Sequence, residues 1–384
     1  VLIKLLTPIA VVLLVVGMAL LMFLLKPLAI PQQGLRYQLV AGTSLAQLVT
    51  DLARQQVLNW PWLFKLCARV VINPRKLRSG EYFIKPGTNA WQLLQQFIKS
   101  RGMIYYAFTI VPGWSQEQLY QMLAKAQFLQ HRLDFTQNMS QLAQIISYQL
   151  TRQNVAIAGW FAADTYYYLK DTTDLEILQR AYWRMQKQLL VAWQQRDPAV
   201  PWHNPAEALI AASLVEKEAW QPKEQQIIAG VIVNRLHKKM RLQLDATRWY
   251  VTQYWCQSSP ASRLPGSDCQ ATLPNKQQLA VVNAYNTYLY SGLPPQAIAI
   301  PSIAAIKAVL QPSRHHYFYF VATGYGGHQF STTLAQQQLA ILALHYRRQG
   351  FYSVNCVLST LARLLAAPVS LSMQLPQLRV NYGC

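Results

Sequence analysis

The sequence predicts an α+β protein: an N-terminal transmembrane helix, a small βα-repeat module and a larger mixed α/β domain. Three observations carry that reading. An uncharged apolar run lies near the N-terminus, a strand–turn–helix pattern recurs at an offset of 45 residues, and helical and alternating apolar periods follow one another through the rest of the chain.

The uncharged run extends from Leu5 to Leu25, between Lys4 and Lys26. At about 1.5 Å per residue a helix of that length crosses roughly 30 Å, the thickness of a bilayer core. Cleaved signal peptides have a shorter apolar core, about 7–15 residues, closed by small residues. Here Lys26-Pro27 follows instead, so a retained single-pass anchor over residues 5–25 is expected. A core helix is the alternative, but core helices seldom stay apolar on every side for this length. Charge does not orient the anchor, because Lys4 and the amino terminus are balanced by Lys26 and Arg36. Residues 26–34 form a linker.

The repeat pairs YQLVAGTSLAQL, Tyr37 to Leu48, with YFIKPGTNAWQL, Tyr82 to Leu93. Each copy begins as a strand, turns at Gly42-Thr43 or Gly87-Thr88, and continues as a helix. Glycine permits the positive φ of such a turn, and Ser44 or Thr43 can cap the first helix. Together the copies make a module over residues 35–104.

A second α/β region opens with the strand Tyr106–Val111 and the turn Pro112-Gly113-Trp114. An amphipathic stretch from Gln116 to Ala126 follows, and residues 174–196 read as a long helix. Near the C-terminus Tyr317–Ala322 and His328–Ser331 flank a glycine-rich turn and read as a hairpin. Val354–Ala366 reads as a short amphipathic helix and Pro368–Cys384 as a tail.

Between these lies the segment with the most chemistry. Asn204-Pro205-Ala206-Glu207 is a strong helix start: a cap, a proline at the first helical position, and a capping-box glutamate. The helix continues to about Trp220. At about 100° per residue, Glu216 falls on the side of Leu209, Ala212, Ser213 and Trp220, with Glu207 and Glu218 opposite. A carboxyl on an apolar, small-residue face is desolvated, which favours the protonated form a general acid needs. A structural ion pair at a helix seam would use the same placement. Downstream, Arg241–Thr247 alternates as a strand, presenting Gln243, Asp245 and Thr247 on one face, a row suited to sugar hydroxyls and acetamides or simply to solvent.

Composition narrows the partners. The chain carries 35 Lys+Arg against 15 Asp+Glu, a formal +20, which attracts polyanions. No long basic block is present, so no nucleic-acid arm is expected. The cysteines are Cys67, Cys256, Cys269, Cys356 and Cys384; none forms a C-x-x-C pair, and no His lies at zinc-finger spacing, so no metal site is expected. Cys256 and Cys269 could close a surface loop or be unrelated thiols.

Four stretches then stand out together: SLVEKEAW at 213–220, VIVNRLHKKMRLQLDAT at 231–247, AYNTYLYSGLPP at 284–295 and YFYFVATGYGGHQFSTTLA at 317–335. In identity, order and spacing they resemble the endolytic murein transglycosylases, the YceG-like family, over roughly residues 35–340. That resemblance implies a lyase without cofactor that cuts between MurNAc and GlcNAc and leaves a 1,6-anhydro end. It implies Glu216 as the one acid/base, with Gln243, Asp245, Asn286, Tyr288 and His328 as substrate-binding residues by motif position. It also implies that residues 35–104 are a LysM-like wall-binding module and 105–345 the catalytic domain. Residues 1–4 would be a cytoplasmic end of an inner-membrane protein whose remainder is periplasmic, with peptidoglycan strands as substrate and a peptidoglycan synthase as neighbour. Residues 346–384 lie outside the match. AGWFAADTY, Ala158–Tyr166, departs from the family's E-G-Y-L-F-P-D-T-Y, and Pro112-Gly113-Trp114 from its E-G-W. An inactive wall-binding scaffold, and a muramidase in which Asp245 helps Glu216 activate water, are the alternatives.

Overall fold

The computed structural model of the 384-residue chain describes residues 2–71, 77–219, 221–258 and 282–348. The question of a Cys256–Cys269 bridge, the helix at Val354–Ala366 and the tail lie outside the described residues or side chains. The chain divides into two units. The first comprises Val1–Phe108, Ala126–Arg132 and Thr165–Ile177; the second comprises Thr109–Lys125, Leu133–Asp164 and the chain from Leu178 onward.

Unit 1 begins with α1 (Leu2–Leu25). Among the described residues no helix is long and apolar enough to cross a membrane. That finding corrects both the transmembrane anchor and the single-pass inner-membrane placement. A physical reason is visible at the end of α1. Phe23 and Leu24 pack against the module's core, and the Phe23 ring stacks on Trp60 with centroids 6.2 Å apart. Apolar side chains read as lipid-facing are here partly spent on protein.

The rest of the module follows from the repeat. Strand β1 (Leu35–Leu39) leads through a turn into α2 (Leu45–Arg54), then α3 (Pro61–Val71). Strand β2 (Gly80–Ile84) leads through a like turn into α4 (Ala90–Lys99). Both turns hold glycine in the left-handed region, Gly42 at φ +82° and Gly87 at +78°. Both helices start with a complete capping box, Ser44 with Gln47 and Asn89 with Gln92. Their buried faces match position for position at the 45-residue offset: Leu45, Leu48, Val49 and Leu52 against Ala90, Leu93, Leu94 and Phe97. The strands pair antiparallel with Tyr37 directly opposite Tyr82, so the two copies face each other about a local two-fold. Both tyrosines meet Phe97 edge-on, at 5.9 and 4.9 Å. A second two-stranded sheet joins β3 (Tyr106–Thr109) to β4 (Thr165–Tyr168).

Unit 2 holds α5 (Gln116–Ala124), α6 (Met139–Thr151) and most of α7 (Asp174–Gln194). Its centre is α8 (Pro205–Glu218), flanked by α9 (Pro222–His237), α10 (Asp245–Ser258) and α11 (Ile303–Leu310). A hairpin of β5 (Tyr319–Ala322) and β6 (His328–Ser331) precedes α12 (Leu334–Arg348). Asn204 caps α8 with Pro205 in the first turn, as expected. Residues 208, 209 and 211–215 are buried and Ile210 is partly buried, so α8 has no fully exposed residue along its middle. Small side chains make this possible: Ala208, Ala211, Ala212 and Ser213 let neighbouring elements approach. Ser213 is fully buried and satisfied; its hydroxyl donates to Ile210 O at 2.7 Å and accepts from Ile298 N at 3.1 Å.

Helix α9 fixes the path of the chain before β5. Asn234 donates to the carbonyls of His315 and Tyr317 at 2.9 and 3.0 Å. Arg235 donates to Phe318 O at 2.6 Å and to the Arg241 and Leu242 carbonyls at 3.1 and 2.8 Å. The contact is close at Gly230: a Cβ there would collide with Ser313 O and lie 2.6 Å from the His315 ring nitrogen. Gly230→Ala is therefore expected to lower stability by about 1–3 kcal/mol through overpacking, read as a lower midpoint in urea unfolding. An unchanged midpoint would mean that 313–315 can shift freely.

Candidate active site

At its C-terminal end α8 releases two carboxylates in opposite directions, and each meets the start of another helix. Glu216 turns toward α11. Its Oε2 accepts from Ser302 N at 2.9 Å and from Ser302 Oγ at 2.6 Å, while the same hydroxyl caps α11 by accepting from Ala305 N. Glu216 thus ties the residue before α11 to α8, a structural bond that suits a carboxylate at a helix N-terminus.

Glu218 turns toward α10, where its Oε1 accepts from Ala246 N at 3.0 Å. The residue keeps some open surface, yet its carboxyl is enclosed by protein. Burial pushes it from an ordinary 4.5 up to about 7, and the Asp245 carboxylate pushes the same way, against the Ala246 N–H and Lys217. This is the carboxyl with acid character near neutrality, and it lies on the side of α8 that the helical-wheel reading assigned away from the substrate.

Around it the structure brings together several residues expected from the motifs. Asp245 opens α10, and its Oδ1 accepts from the Tyr288 hydroxyl at 2.7 Å. Burial, and then the bond to Asp245, push the Tyr288 phenol well above its usual range, so it stays a neutral donor. Arg248, one turn along α10, approaches Asp245 Oδ1 at 3.6 Å.

The expected strand over Arg241–Thr247 does not form: residues 241–244 are irregular and α10 begins at Asp245. Thr287 overrides the alternating pattern. Its carbonyl accepts from Gln243 N at 3.1 Å, and its hydroxyl accepts from Leu244 N at 3.0 Å and meets the Thr247 hydroxyl at 2.8 Å. Leu242 and Leu244 still point inward, which is the apolar half of the strand reading. Gln243 sits at φ +49° in this clasp. Asn286 is fully buried; its Oδ1 accepts from Tyr288 N at 3.0 Å and so shapes the turn that carries Tyr288.

His328 is placed on β6 with Glu224 as its partner. Glu224 accepts from His328 N at 3.0 Å and pairs with its Nδ1 at 2.8 Å. Burial raises the Glu224 carboxyl, but the His328 bonds outweigh it and hold the group low. Among the described residues no bond joins His328 to Glu218 or Asp245. A cavity of about 530 Å³ lies elsewhere, between the β5–β6 hairpin and α12. The described residues contain no group of three His, Cys, Asp or Glu side chains able to hold a metal.

Two outcomes follow from the opposed carboxylates. Ser302→Ala removes the α11 cap and a bond to Glu216, and is expected to cost about 1–3 kcal/mol in a denaturant titration. For Glu218, the folded state keeps a proton between about pH 4.5 and 7 that the unfolded chain releases. The unfolded state therefore binds fewer protons in that window, and this group lowers stability as pH rises through it. Glu218→Gln should remove that downward slope; an unchanged profile would show that the carboxyl is not perturbed.

The model of the YceG-like family matches residues 37–342. The chain is 25% identical over 315 residues to the "Endolytic murein transglycosylase" of Bacillus subtilis, covering 78% of this chain and 82% of that protein. It is 23% identical over 308 residues to the protein of the same name from Streptococcus pneumoniae R6, covering 73% of this chain and 53% of the relative. It therefore spans about half the length of the pneumococcal relative. A crystal structure of a yceG-like protein from Listeria monocytogenes aligns with a TM-score of 0.46 at 22% identity, over 80% of this chain and 99% of the other. With the match extending from β1 into α12, this chain belongs to the YceG-like family.

Proposed function

We propose that the chain is a lyase, an endolytic murein transglycosylase that cuts peptidoglycan strands between MurNAc and GlcNAc, with Glu218 as its single acid/base. One observation carries the residue choice: burial lifts the Glu218 carboxyl to about 7 beside the Asp245–Tyr288 pair. A group poised there holds a proton near neutral pH and also accepts one readily. The family relatives named as transglycosylases support the reaction class.

In the reaction, protonated Glu218 gives its proton to the glycosidic oxygen as the C1–O bond breaks. The resulting carboxylate takes the proton of the MurNAc 6-hydroxyl, whose oxygen bonds to C1 and closes a 1,6-anhydro ring. The proton returns to Glu218, and no water is consumed. The Ala246 N–H steadies the carboxylate between the two steps. Asp245, held by Tyr288, keeps the neighbouring charge negative, which raises the proton affinity of Glu218 and favours the positive charge developing at C1. Glu216 serves as the brace that sets the end of α8, through Ser302. The residues 35–104 module would bind the wall, and internal cuts in new strands would stop their elongation.

A second reading has an observation in its favour: Asp245 stands near Glu218, and hydrolytic glycosidases generally use a carboxylate pair. Product mass separates the two. Purified peptidoglycan incubated with the full chain should yield internal cuts with anhydro-MurNAc ends, and Glu218→Gln should yield none. Glu216→Gln should keep cleaving while losing about 1–3 kcal/mol of stability. Reducing ends would establish hydrolysis, and intact strands that retain the protein would establish a binding module. Activity of the unmutated chain should fall as pH rises through about 7, because the proton donor is lost. Cleavage by Glu218→Gln with loss in Glu216→Gln would return the acid/base to Glu216.

A further inference from the structure

Arg248 and Trp249 lie one turn along α10 from Asp245. Arg248 is poorly satisfied for a guanidinium with five donors. Its side chain is only 11% exposed. Among the described residues its carboxylate partner is Asp245, which stands at 3.6 Å and is already bonded by Tyr288 at 2.7 Å. Its Nε is buried without a hydrogen-bond partner among the described residues. Arg235 offers the contrast: three backbone carbonyls take its donors within 3.1 Å. Arg314 likewise meets Asp197 at 2.9 Å. What Arg248 does have is an aromatic neighbour, its guanidinium carbon standing 5.1 Å from the Trp249 ring centre. Trp249 is in turn 47% exposed, a large flat ring left open to solvent.

An open indole beside a guanidinium short of acceptors suits a ligand that is part sugar and part anion. The indole face packs against the C–H face of a pyranose, and the guanidinium takes a carboxylate through parallel N–H bonds. We propose that Arg248 and Trp249 form a specificity subsite of the glycan site, which takes a carboxylate-bearing sugar unit beside the one cut at Glu218. The proposal rests on the glycan-cutting reading above and adds what that reading leaves open, the charge of the strand. In peptidoglycan such carboxylates come from the lactyl group of a stripped muramyl unit or from a stem peptide. The loose pairing with Asp245 belongs to this arrangement: an arriving carboxylate competes for Arg248 while Tyr288 keeps Asp245 in place.

The test measures both binding and cleavage with the full chain, on three strand preparations: peptide-bearing, peptide-stripped with free lactyl carboxylates, and peptide-bearing with the carboxylates amidated. Binding to uncleaved strands is followed by calorimetry in a Glu218→Gln background, so it does not depend on turnover. Arg248→Gln is expected to weaken binding and raise KM about tenfold on carboxylate-bearing strands, with kcat kept and amidated strands unaffected. Arg248→Lys should restore part of the affinity. Trp249→Ala should weaken all three preparations, and Trp249→Phe should restore them. Whichever unamidated preparation shows the larger Arg248 effect identifies the source of the carboxylate. An Arg248→Gln loss that is equal on amidated and unamidated strands, or no loss in either variant, overturns the subsite. Circular dichroism of each variant keeps misfolding from passing as a binding defect. If the unmutated chain cleaves normally and only these variants are silent, the subsite alone fails. If it neither binds nor cleaves any strand, the glycan reading fails and the subsite with it.

Discussion

The candidate site depends on one packing constraint, the near-complete burial of α8 along its middle turns. A helix packed against α9, α10 and α11, with no fully exposed residue along its middle, cannot rotate or slide to suit the groups at its end. The only freedom left to its last turn is the direction in which Glu216 and Glu218 leave the axis. Each finds the exposed N–H groups of another helix, Ser302 ahead of α11 and Ala246 in the first turn of α10. Two residues of one type, two apart, thereby acquire different environments. Glu216 is joined by two donors of one serine, and Glu218 by a single N–H beside another carboxylate.

The strongly basic composition bears on this arrangement in a specific way. An excess of 20 positive charges would ordinarily stabilise any carboxylate as an anion. Near Glu218 the structure withholds that help. Arg235, the buried cation of α9, spends its donors on backbone carbonyls and so shapes the chain at 241–242 and 318. Arg248 leans on Trp249 and Asp245. At Glu218 burial and Asp245 outweigh the Ala246 N–H and Lys217, which pull the other way.

Much of the fold could be read from residues, and the failures share a physical cause. The 45-residue repeat was legible because the same buried positions recur in α2 and α4, and even the register of Tyr37 against Tyr82 follows from it. Local signals also held at Asn204-Pro205 and at the β5–β6 hairpin. At Glu216 the helical wheel assumes one wet and one dry face, whereas α8 has no fully exposed residue over 208–216, and the structure gives this carboxylate Ser302 as its partner. Small residues beside Glu216 allow the close approach of α11. The alternation over Arg241–Thr247 misled because period two records which residues are buried, and an irregular segment clasped by Thr287 buries Leu242 and Leu244 equally well. The apolar N-terminal run misled in the same way, since Phe23 and Leu24 serve the module's core. In each case hydrophobic pattern reported burial, and burial alone did not say against what.

The two departures from the family's motifs fall in segments that brace α8. Gly159 adopts φ +80°, and a Cβ there would come within 2.6 Å of Ala297, so AGWFAADTY presses its backbone against the chain leading to Ser302. Ala162 N donates to Ala181 O at 3.0 Å, and Asp164 pairs with Arg184, which fastens the same segment to α7. In Pro112-Gly113-Trp114 the glycine N–H donates to Ile300 O and the tryptophan carbonyl accepts from Ile300 N, both at 2.8 Å. The backbone carries these bonds, so a change of side chain at Pro112, Ala158 or Ala163 leaves them intact. Both segments converge on residues 297–302, whose last member holds Glu216. Glu216 therefore stands at the end of a continuous brace from α7 and the 112–114 turn, while Glu218, on the opposite side of the same turn, is left to its carboxylate neighbour and the Ala246 N–H of α10.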